Sequence, residues 1–255
     1  MALREPPKEE LQRMEKLGVI KKCTEPTAWV QSLVVAKKKN NKLRVCLDPL
    51  DLNRAVMREH FPMQTVEDVI SKMPNTKVFS VLDANHGFWQ VELVKDCSKL
   101  ATFNAPFGRC SYTRLPFGIA SAPEVFQHVM VHFFQDIEGV EVIVDDLVVW
   151  GEDVEQHDVR LRQVLDRCRE RNLKLNREKC HFRVSEVHLY VGHVLSADGV
   201  KPHPQKVEAI IAMPTPANRE DLQRFLGVVT YLSKFIPNMS QKSAPLRHLL
   251  QKYVK

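Results

Sequence analysis

Two adjacent carboxylates, Asp145 and Asp146, stand between two mostly apolar, β-branched runs, residues 140–144 and 147–150. Such runs around a two-residue turn are typical of a β-hairpin with its charges at the tip, although Asn-Gly and Asp-Gly are the preferred turn pairs because they reach positive φ cheaply. Two like charges side by side repel each other unless a cation neutralises both, and a divalent metal ion would do so. Two solvated turn aspartates are the alternative, because aspartate is common in turns.

A third carboxylate, Asp83, ends a predicted strand over residues 77–83. It lies 62 residues before Asp145, so only the fold can bring the two together. Three aspartates on neighbouring strands would form an oxygen-rich site that suits magnesium or manganese better than zinc. Two such ions about 4 Å apart can stabilise the attacking and leaving oxygens of a phosphoryl displacement. The chain contains no P-loop, dinucleotide-binding, nucleophile-elbow or zinc-protease motif that would favour another chemistry.

Composition is that of a globular protein, with 44% hydrophobic and 27% charged residues among 255. The net charge of +6 suits a polyanionic partner. Six cysteines without a C-x-x-C pair argue against a zinc site or disulfide framework and favour reduced intracellular thiols. No apolar segment resembles a signal peptide or membrane span. We therefore expect an intracellular protein without a membrane partner; composition does not distinguish a cytoplasmic particle from the nucleus.

The elements that must position the acids follow from hydrophobic periodicity. Helices are predicted over residues 7–20, from a capping box at 65–68, from Pro123, and over 154–171 and 218–235; strands are predicted over 29–36, 43–47, 77–83, 140–150 and 187–195. Leu17 and Val154 are expected on the inward faces of their helices. The basic turn Lys37–Lys42 is either a solvated hairpin tip or a phosphate clamp. The alternation predicts an α+β fold of the split βαβ kind, with helices on one face of an antiparallel sheet and a boundary near residue 200.

Several short motifs recur in a specific order along the chain: LRVCLDPLDLN at 43–53, FSVLD at 79–83, LPFG at 115–118, Ala122-Pro123, Phe126-Gln127, VDD at 144–146 and VGH at 191–193. This order closely resembles the reverse transcriptase domain of gypsy-type long-terminal-repeat retrotransposons, which is part of a Pol polyprotein. The resemblance covers essentially the whole chain, including the helical tail over 225–246.

The resemblance implies a right-hand polymerase with an α+β fold. Residues 1–74 would form the fingers with an N-terminal helix. Residues 75–200 would form a ferredoxin-like (split βαβ) palm, together with part of the fingers (about 94–117) and the primer-grip hairpin. Residues 201–255 would be the start of a helical thumb. In the family a protease precedes the polymerase, and RNase H and integrase follow it; we expect none of these domains in this chain.

The resemblance also assigns roles to matching residues. Asp83, Asp145 and Asp146 would be the catalytic, metal-binding carboxylates for two Mg²⁺ ions, with Mn²⁺ as a substitute, and the first two would hold both ions. The nucleotide-binding set would be Lys38, Arg44, Ala84, Phe88, Phe117 and Gly118. The primer grip would be Val191, Gly192 and His193.

Within the nucleotide-binding set, Lys38 and Arg44 would contact the incoming triphosphate, while Phe117 and Gly118 would line the pocket. Phe88 would crowd the sugar 2′ position and exclude ribonucleotides. Without the resemblance, core packing is the alternative for Phe88 and Trp89.

The implied function is RNA-directed DNA polymerisation: a primer 3′-hydroxyl is extended with deoxynucleoside triphosphates on an RNA or DNA template by two-metal phosphoryl transfer. A longer polyprotein would add RNase H and integrase regions as partners. The alternative is a catalytically silent, domesticated or degenerate copy that binds nucleic acid or a protein. A metal-dependent nuclease would not account for the fingers and primer-grip motifs.

The sequence departs from the family pattern at three places. Ile143 stands where a tyrosine is usual, Leu50 where an arginine is frequent, and Asn85-His86 where a basic and a small residue are usual. All three acids are present. We therefore expect altered primer handling rather than inactivity.

Overall fold

The computed structural model describes residues 5–37, 43–58, 60–62, 66–105, 108–143, 146–189 and 193–251. Four of the predicted site residues, Lys38, Asp145, Val191 and Gly192, lie outside these ranges. Among the described residues, no helix combines the length and the hydropathy needed to cross a bilayer.

The helices of the described chain are α1 (Glu5–Lys16), α2 (Leu50–Ala55), α3 (Val66–Ser71), α4 (Lys95–Leu100), α5 (Ala122–Phe134), α6 (Val154–Glu170), α7 (Pro204–Ile211), α8 (Arg219–Tyr231) and α9 (Met239–His248), with 3-10 turns at Gly87–Gln90 and Ser233–Phe235. The strands are β1 (Ile20–Lys22), β2 (Ser32–Lys37), β3 (Leu43–Asp48), β4 (Val78–Asp83), β5 (Thr102–Ala105), β6 (Gly108–Tyr112), β7 (Val140–Ile143), β8 (Asp146–Gly151), β9 (His181–Val184), β10 (Glu186–Leu189), β11 (His193–Ser196) and β12 (Gly199–Pro202).

A four-stranded antiparallel sheet in the order β7-β8-β4-β9 forms the centre of the fold. Alternate residues of β8 enter different cores. Leu147 and Val149 pack with residues of α5 and α6, whereas Val148 and Trp150 pack with Val69 of α3 and with residues of β10 and β11. Because both faces of the sheet are covered, β8 is apolar from Leu147 to Trp150 rather than alternating with polar residues. The predicted helices on one face are confirmed, and the second face is covered as well.

A smaller sheet, β1-β6-β5, joins the N-terminal region to residues 102–112. Leu11 and Met14 of α1 are buried in one apolar cluster with Leu47 of β3, Phe103 of β5 and Tyr112 of β6. The hairpin β2–β3 lies beside this cluster, to which Leu33 and Val35 add partly buried side chains. Helix α1 and strands β1 and β3 therefore share one core with β5 and β6.

The C-terminal part consists of the sheet β10-β11-β12 followed by α7, α8 and α9. Helix α8 begins at the N-cap Asn218, whose side chain accepts a hydrogen bond from the Asp221 amide at 2.9 Å. Leu222 and Leu226 form its buried face, as the helical spacing predicts.

Three details differ from the sequence-based expectations. Leu17 is exposed, because α1 ends at Lys16 and Gly18 turns the chain with φ +69°. Val154 is exposed, because the buried face of α6 begins one turn later, at His157. The hairpin strands end at Ile143 and resume at Asp146, so that its two-residue connection is 144–145 rather than Asp145-Asp146. Asp146 is therefore a strand residue.

Candidate active site

Two of the three predicted acids face each other at one end of the central sheet. Asp83 is the last residue of β4 and Asp146 the first residue of β8, and the register pairs them directly. Side chains of directly opposed residues in an antiparallel sheet lie on the same face and within reach of each other. Asp145 lies outside the described residues and is joined covalently to Asp146. Strand pairing thus brings together Asp83 and Asp146, which lie 63 residues apart in the chain.

Asp83 is held on two sides by the segment that follows α6. Its side chain is only 13% exposed, and its Oδ2 accepts a hydrogen bond from Lys179 Nζ at 2.7 Å. Its backbone oxygen accepts from the Asn176 amide at 2.9 Å. The carboxylate therefore has a fixed position and an adjacent positive charge. Lys179 is not among the predicted site residues, because no motif spacing marks a lysine 96 residues from its partner.

Cys180 lies close enough to Asp83 and Asp146 for their charges to act on it. Burial raises the pKa of the Cys180 thiol; a backbone hydrogen bond at Asp83 opposes this rise, and the charges of the two aspartates add to it. These surroundings therefore favour the protonated thiol of Cys180 over the thiolate. The donors at this end of the sheet are carboxylate oxygens.

These donors fit Mg²⁺ or Mn²⁺. Both ions prefer carboxylate oxygen, and two opposed aspartates next to a third supply it. Within the described ranges no three acidic, histidine or cysteine side chains form a metal-ligand cluster, but those ranges leave out Asp145.

The chain after Asp83 makes a tight turn that carries Phe88. Ala84 is buried, and His86 has the left-handed φ of 53° before the 3-10 turn begins. A Cβ on Gly87 would lie 2.8 Å from the ring of Phe126, so only glycine allows this approach. Phe88 itself is 8% exposed, with its ring centre 4.8 Å from that of Phe117 and 5.5 Å from that of Phe126.

Phe117 and Gly118 lie on a loop that is fixed against β3. The Leu47 amide donates to the Phe117 oxygen at 2.8 Å. Gly118 has φ +111°, and a Cβ there would lie 1.9 Å from the Leu47 oxygen. Asn53 clamps the loop from α2: its Nδ2 donates to the Gly118 oxygen and its Oδ1 accepts from the Ala120 amide, both at 2.9 Å.

Arg44 completes a row of packed side chains. Its guanidinium carbon lies 4.9 Å from the centre of the Phe117 ring, which in turn packs on Phe88. The structure therefore brings together three members of the predicted nucleotide-binding set, Arg44 of β3, Phe117 of the loop and Phe88 of the turn. Arg44 itself is exposed, so its positive charge is available to a ligand.

The predicted primer-grip hairpin is described only in part. His193 begins β11, which pairs with β10 and β12, and Val191 and Gly192 lie outside the described residues. Val187 and Leu195 of this sheet are buried in one apolar cluster with Ile143, which is 8% exposed. The residue that replaces the usual tyrosine is thus a core residue shared by the central sheet and the β10–β12 sheet.

Comparison with known proteins decides the family. The family model described as "Reverse transcriptase (RNA-dependent DNA polymerase)" matches residues 35–229. The chain belongs to this reverse transcriptase family. The Pol polyproteins of the transposons 297 and opus of Drosophila melanogaster are 29% and 32% identical to it, over 96% and 91% of the chain. The Tf2-3 polyprotein of Schizosaccharomyces pombe is 28% identical over 97% of the chain.

The chain spans only about a quarter or less of these reverse transcriptase relatives, 24% of the two Drosophila polyproteins and 18% of the yeast one. A foamy viral protease-reverse transcriptase in complex with double-stranded DNA superposes with a TM-score of 0.88 and 24% identity, over 98% of this chain and 44% of that one. A foamy viral protease-reverse transcriptase in complex with an RNA/DNA hybrid superposes with a TM-score of 0.81, over 98% of this chain and 34% of that one. The retrotransposon resemblance and the right-hand polymerase fold are confirmed, and the gypsy subtype stays a prediction.

Proposed function

We propose that this chain is an RNA-directed DNA polymerase that extends a primer 3′-hydroxyl with deoxynucleoside triphosphates. One observation carries the proposal: Asp83 faces Asp146 across the sheet, and five residues beyond Asp83 begins the row of Phe88, Phe117 and Arg44. A pair of acids next to an aromatic surface with a cation at its end fits a metal–nucleoside triphosphate. The family to which the chain belongs supports the same conclusion.

The proposed parts of the hand follow the cores of the fold. Residues 1–74 with about 94–117 act as fingers; the shared core of α1, β3, β5 and β6 supports this grouping. Residues 75–200 act as the palm around the central sheet, with the β10–β11 hairpin as primer grip. Residues 201–255 act as the thumb, built from α7, α8 and α9.

In the proposed reaction the primer 3′-oxygen attacks the α-phosphorus of the nucleotide and gives its proton to water, and the bond between the α-phosphorus and the oxygen that bridges to the β-phosphate breaks to release pyrophosphate. Asp83, Asp145 and Asp146 would hold two Mg²⁺ ions, which when bound neutralise charge on the attacking and leaving oxygens. Arg44 places a positive charge for the triphosphate. Phe88, fixed between Phe117 and Phe126, presents a rigid wall at the sugar.

A primer–template duplex is the proposed macromolecular partner. The net charge of +6 supports a polyanionic ligand, and related foamy viral proteins carry double-stranded DNA or an RNA/DNA hybrid in their structures. Contacts to backbone phosphates release counterions, so that duplex affinity should fall steeply as salt rises.

Primer extension on an RNA template tests the proposal. Purified protein is given a DNA primer, deoxynucleotides and Mg²⁺ or Mn²⁺, beside an Asp145→Asn variant. We expect metal-dependent extension by the wild type and its loss in the variant. Duplex binding without extension, or equal extension by both proteins, would contradict the polymerase proposal, and the first result would favour the silent copy.

A further inference from the structure

The side-chain amide of Gln90 joins two segments that flank Asp83. Its Nε2 donates to the backbone oxygens of Asn85 and Lys174, at 2.8 and 2.9 Å. Its Oε1 accepts from the Lys174 amide at 2.7 Å. Both donor hydrogens and the acceptor are thus engaged with backbone, and the residue that makes these contacts is not one of the predicted site residues.

The first segment is the turn from Ala84 to Gln90, which carries Phe88. It is a short turn: His86 is left-handed, and the 3-10 turn Gly87–Gln90 follows, in which the Trp89 amide donates to the His86 oxygen at 2.8 Å. The Nε2 bond to Asn85 closes the turn across its base. Phe117 and Phe126 hold the ring of Phe88, and Gln90 fixes the backbone of its turn relative to β4.

The second segment runs from Lys174 to Lys179 and holds Asp83 directly. The Asn85 amide donates to the Lys174 oxygen at 2.8 Å, and the Asn176 amide donates to the Asp83 oxygen at 2.9 Å. Asn176 then accepts from the Lys179 amide at 3.0 Å, which turns the chain so that Lys179 Nζ reaches the Asp83 carboxylate. The same amide of Gln90 thus ties down both the aromatic and the acid.

We propose that Gln90 is a positioning residue that sets Phe88 at a fixed distance from Asp83 and so determines discrimination between deoxyribose and ribose. The inference rests on the proposed polymerase function. A residue that supports a site without touching the substrate can affect its reaction, because a displacement of about 1 Å at the reacting groups lowers the rate strongly. If Gln90 only stabilised the fold, sugar preference would not change, because the ratio of two substrates does not depend on the fraction of protein that is folded.

Gln90→Glu is the sharpest test because the two side chains have the same shape. The glutamate keeps the acceptor for the Lys174 amide, loses both donors and sets a carboxylate oxygen against two carbonyl oxygens. Gln163→Glu, at an exposed position of α6, is the matched control with the same change in charge. Gln90→Met removes the hydrogen bonds without adding charge and serves if the glutamate variant does not fold.

The measurement is kcat/KM for addition of one deoxynucleotide and of the matching ribonucleotide to a primer in Mg²⁺, with folding checked by circular dichroism. We expect the ratio of the two values to fall about tenfold in the Gln90 variants, with a higher KM for the deoxynucleotide, and to stay at the wild-type value in Gln163→Glu.

Folded, active Gln90 variants with the wild-type ratio would overturn the inference and leave the proposed function intact. Failure of both variants to fold would make Gln90 a folding residue and overturn it as well. A wild-type protein that extends no primer would contradict the proposed function itself, and the inference would fall with it.

Discussion

Phe88 has features of both roles predicted for it, a core residue and a steric gate at the sugar. It packs between Phe117 and Phe126 as a core residue would, and it stands at the turn that follows Asp83. A ring held by two other rings has few positions open to it, because protein interiors are close-packed. Core packing therefore supplies the rigidity that a steric gate needs.

Replacement of Phe88 by alanine should admit ribonucleotides. Loss of the ring opens space at the sugar 2′ position, and the preference for deoxynucleotides should fall by about tenfold or more. The cavity should also destabilise the fold by about 3 to 5 kcal/mol, so Phe88→Val provides a milder second variant. Relative kcat/KM for the two sugar types is measured beside Phe182→Ala, an exposed control. Unchanged discrimination in both Phe88 variants would count against the gate.

Ile143 shows what a departure from a motif means physically. In the sequence, Ile143 stands where the family usually has a tyrosine. In the structure, it is buried in an apolar cluster with Val69 and Val187. Burial of an apolar side chain at this position, on the second face of the central sheet, stabilises the fold. Altered primer handling stays a prediction.

At the scale of elements, the loop 117–120 could be predicted as a turn but its partner could not. LPFG carries local turn signals, whereas contact with Leu47 depends on how β3 lies against the loop. Asn53 binds two groups of this loop, and its motif gives no sign of that role. Long-range pairing of this kind leaves no periodic signal in the chain.

Gly118→Ala should destabilise the protein strongly. The added Cβ would meet the Leu47 oxygen at 1.9 Å, and φ +111° disfavours any side chain. We expect a loss on the order of 2 to 4 kcal/mol in the free energy of unfolding. Gly199→Ala has a similar φ, +106°, with nothing within 4 Å, and should cost about 1 kcal/mol. Urea unfolding compares the two; equal losses would show that the contact with Leu47 is unimportant.

The contact between α6 and the chain after α5 should make stability depend on pH. Arg167 donates to both carboxylate oxygens of Asp136, at 2.7 and 2.8 Å, and these hydrogen bonds lower the pKa of Asp136 from 3.8 to about 2. Because the folded-state pKa lies below the unfolded one, the stabilisation is present above about pH 4 and is lost as pH falls towards 2.

The free energy of unfolding of wild type and Arg167→Met between pH 2 and 5 measures this effect. The variant should be less stable at pH 5, and the difference between the two proteins should shrink as pH falls. Arg167 also donates to the Phe133 oxygen, which leaves a constant part of the difference. A difference that is the same at every pH would contradict the role given to Asp136.

At the scale of the whole molecule, motif order predicts the family and the fold class, and both are confirmed. Local runs such as FSVLD and VDD carry their own strand signals, so β4 and the β7–β8 hairpin could be predicted. Lys179 and Gln90 could not, because their partners lie 96 and 84 residues away and only the packed chain brings them together.

The proposed site draws on regions that are far apart in the chain. Arg44 comes from β3, Phe117 from the loop before α5, Phe88 from the turn after β4, and Asp146 from β8. Asp83 lies where the central sheet, this turn and the segment after α6 meet. The proposed metal site therefore depends most on the carboxylate of Asp83.

The rate of addition of a single deoxynucleotide to a primer on an RNA template, measured in Mg²⁺ for Asp83→Asn, tests this dependence most directly. Asp198→Asn, an exposed aspartate paired with Lys201, is the control. We predict that Asp83→Asn loses at least about a thousandfold in rate, equivalent to about 4 kcal/mol of transition-state stabilisation, while Asp198→Asn matches the wild type. A folded Asp83→Asn protein that adds the nucleotide at the wild-type rate would contradict the account.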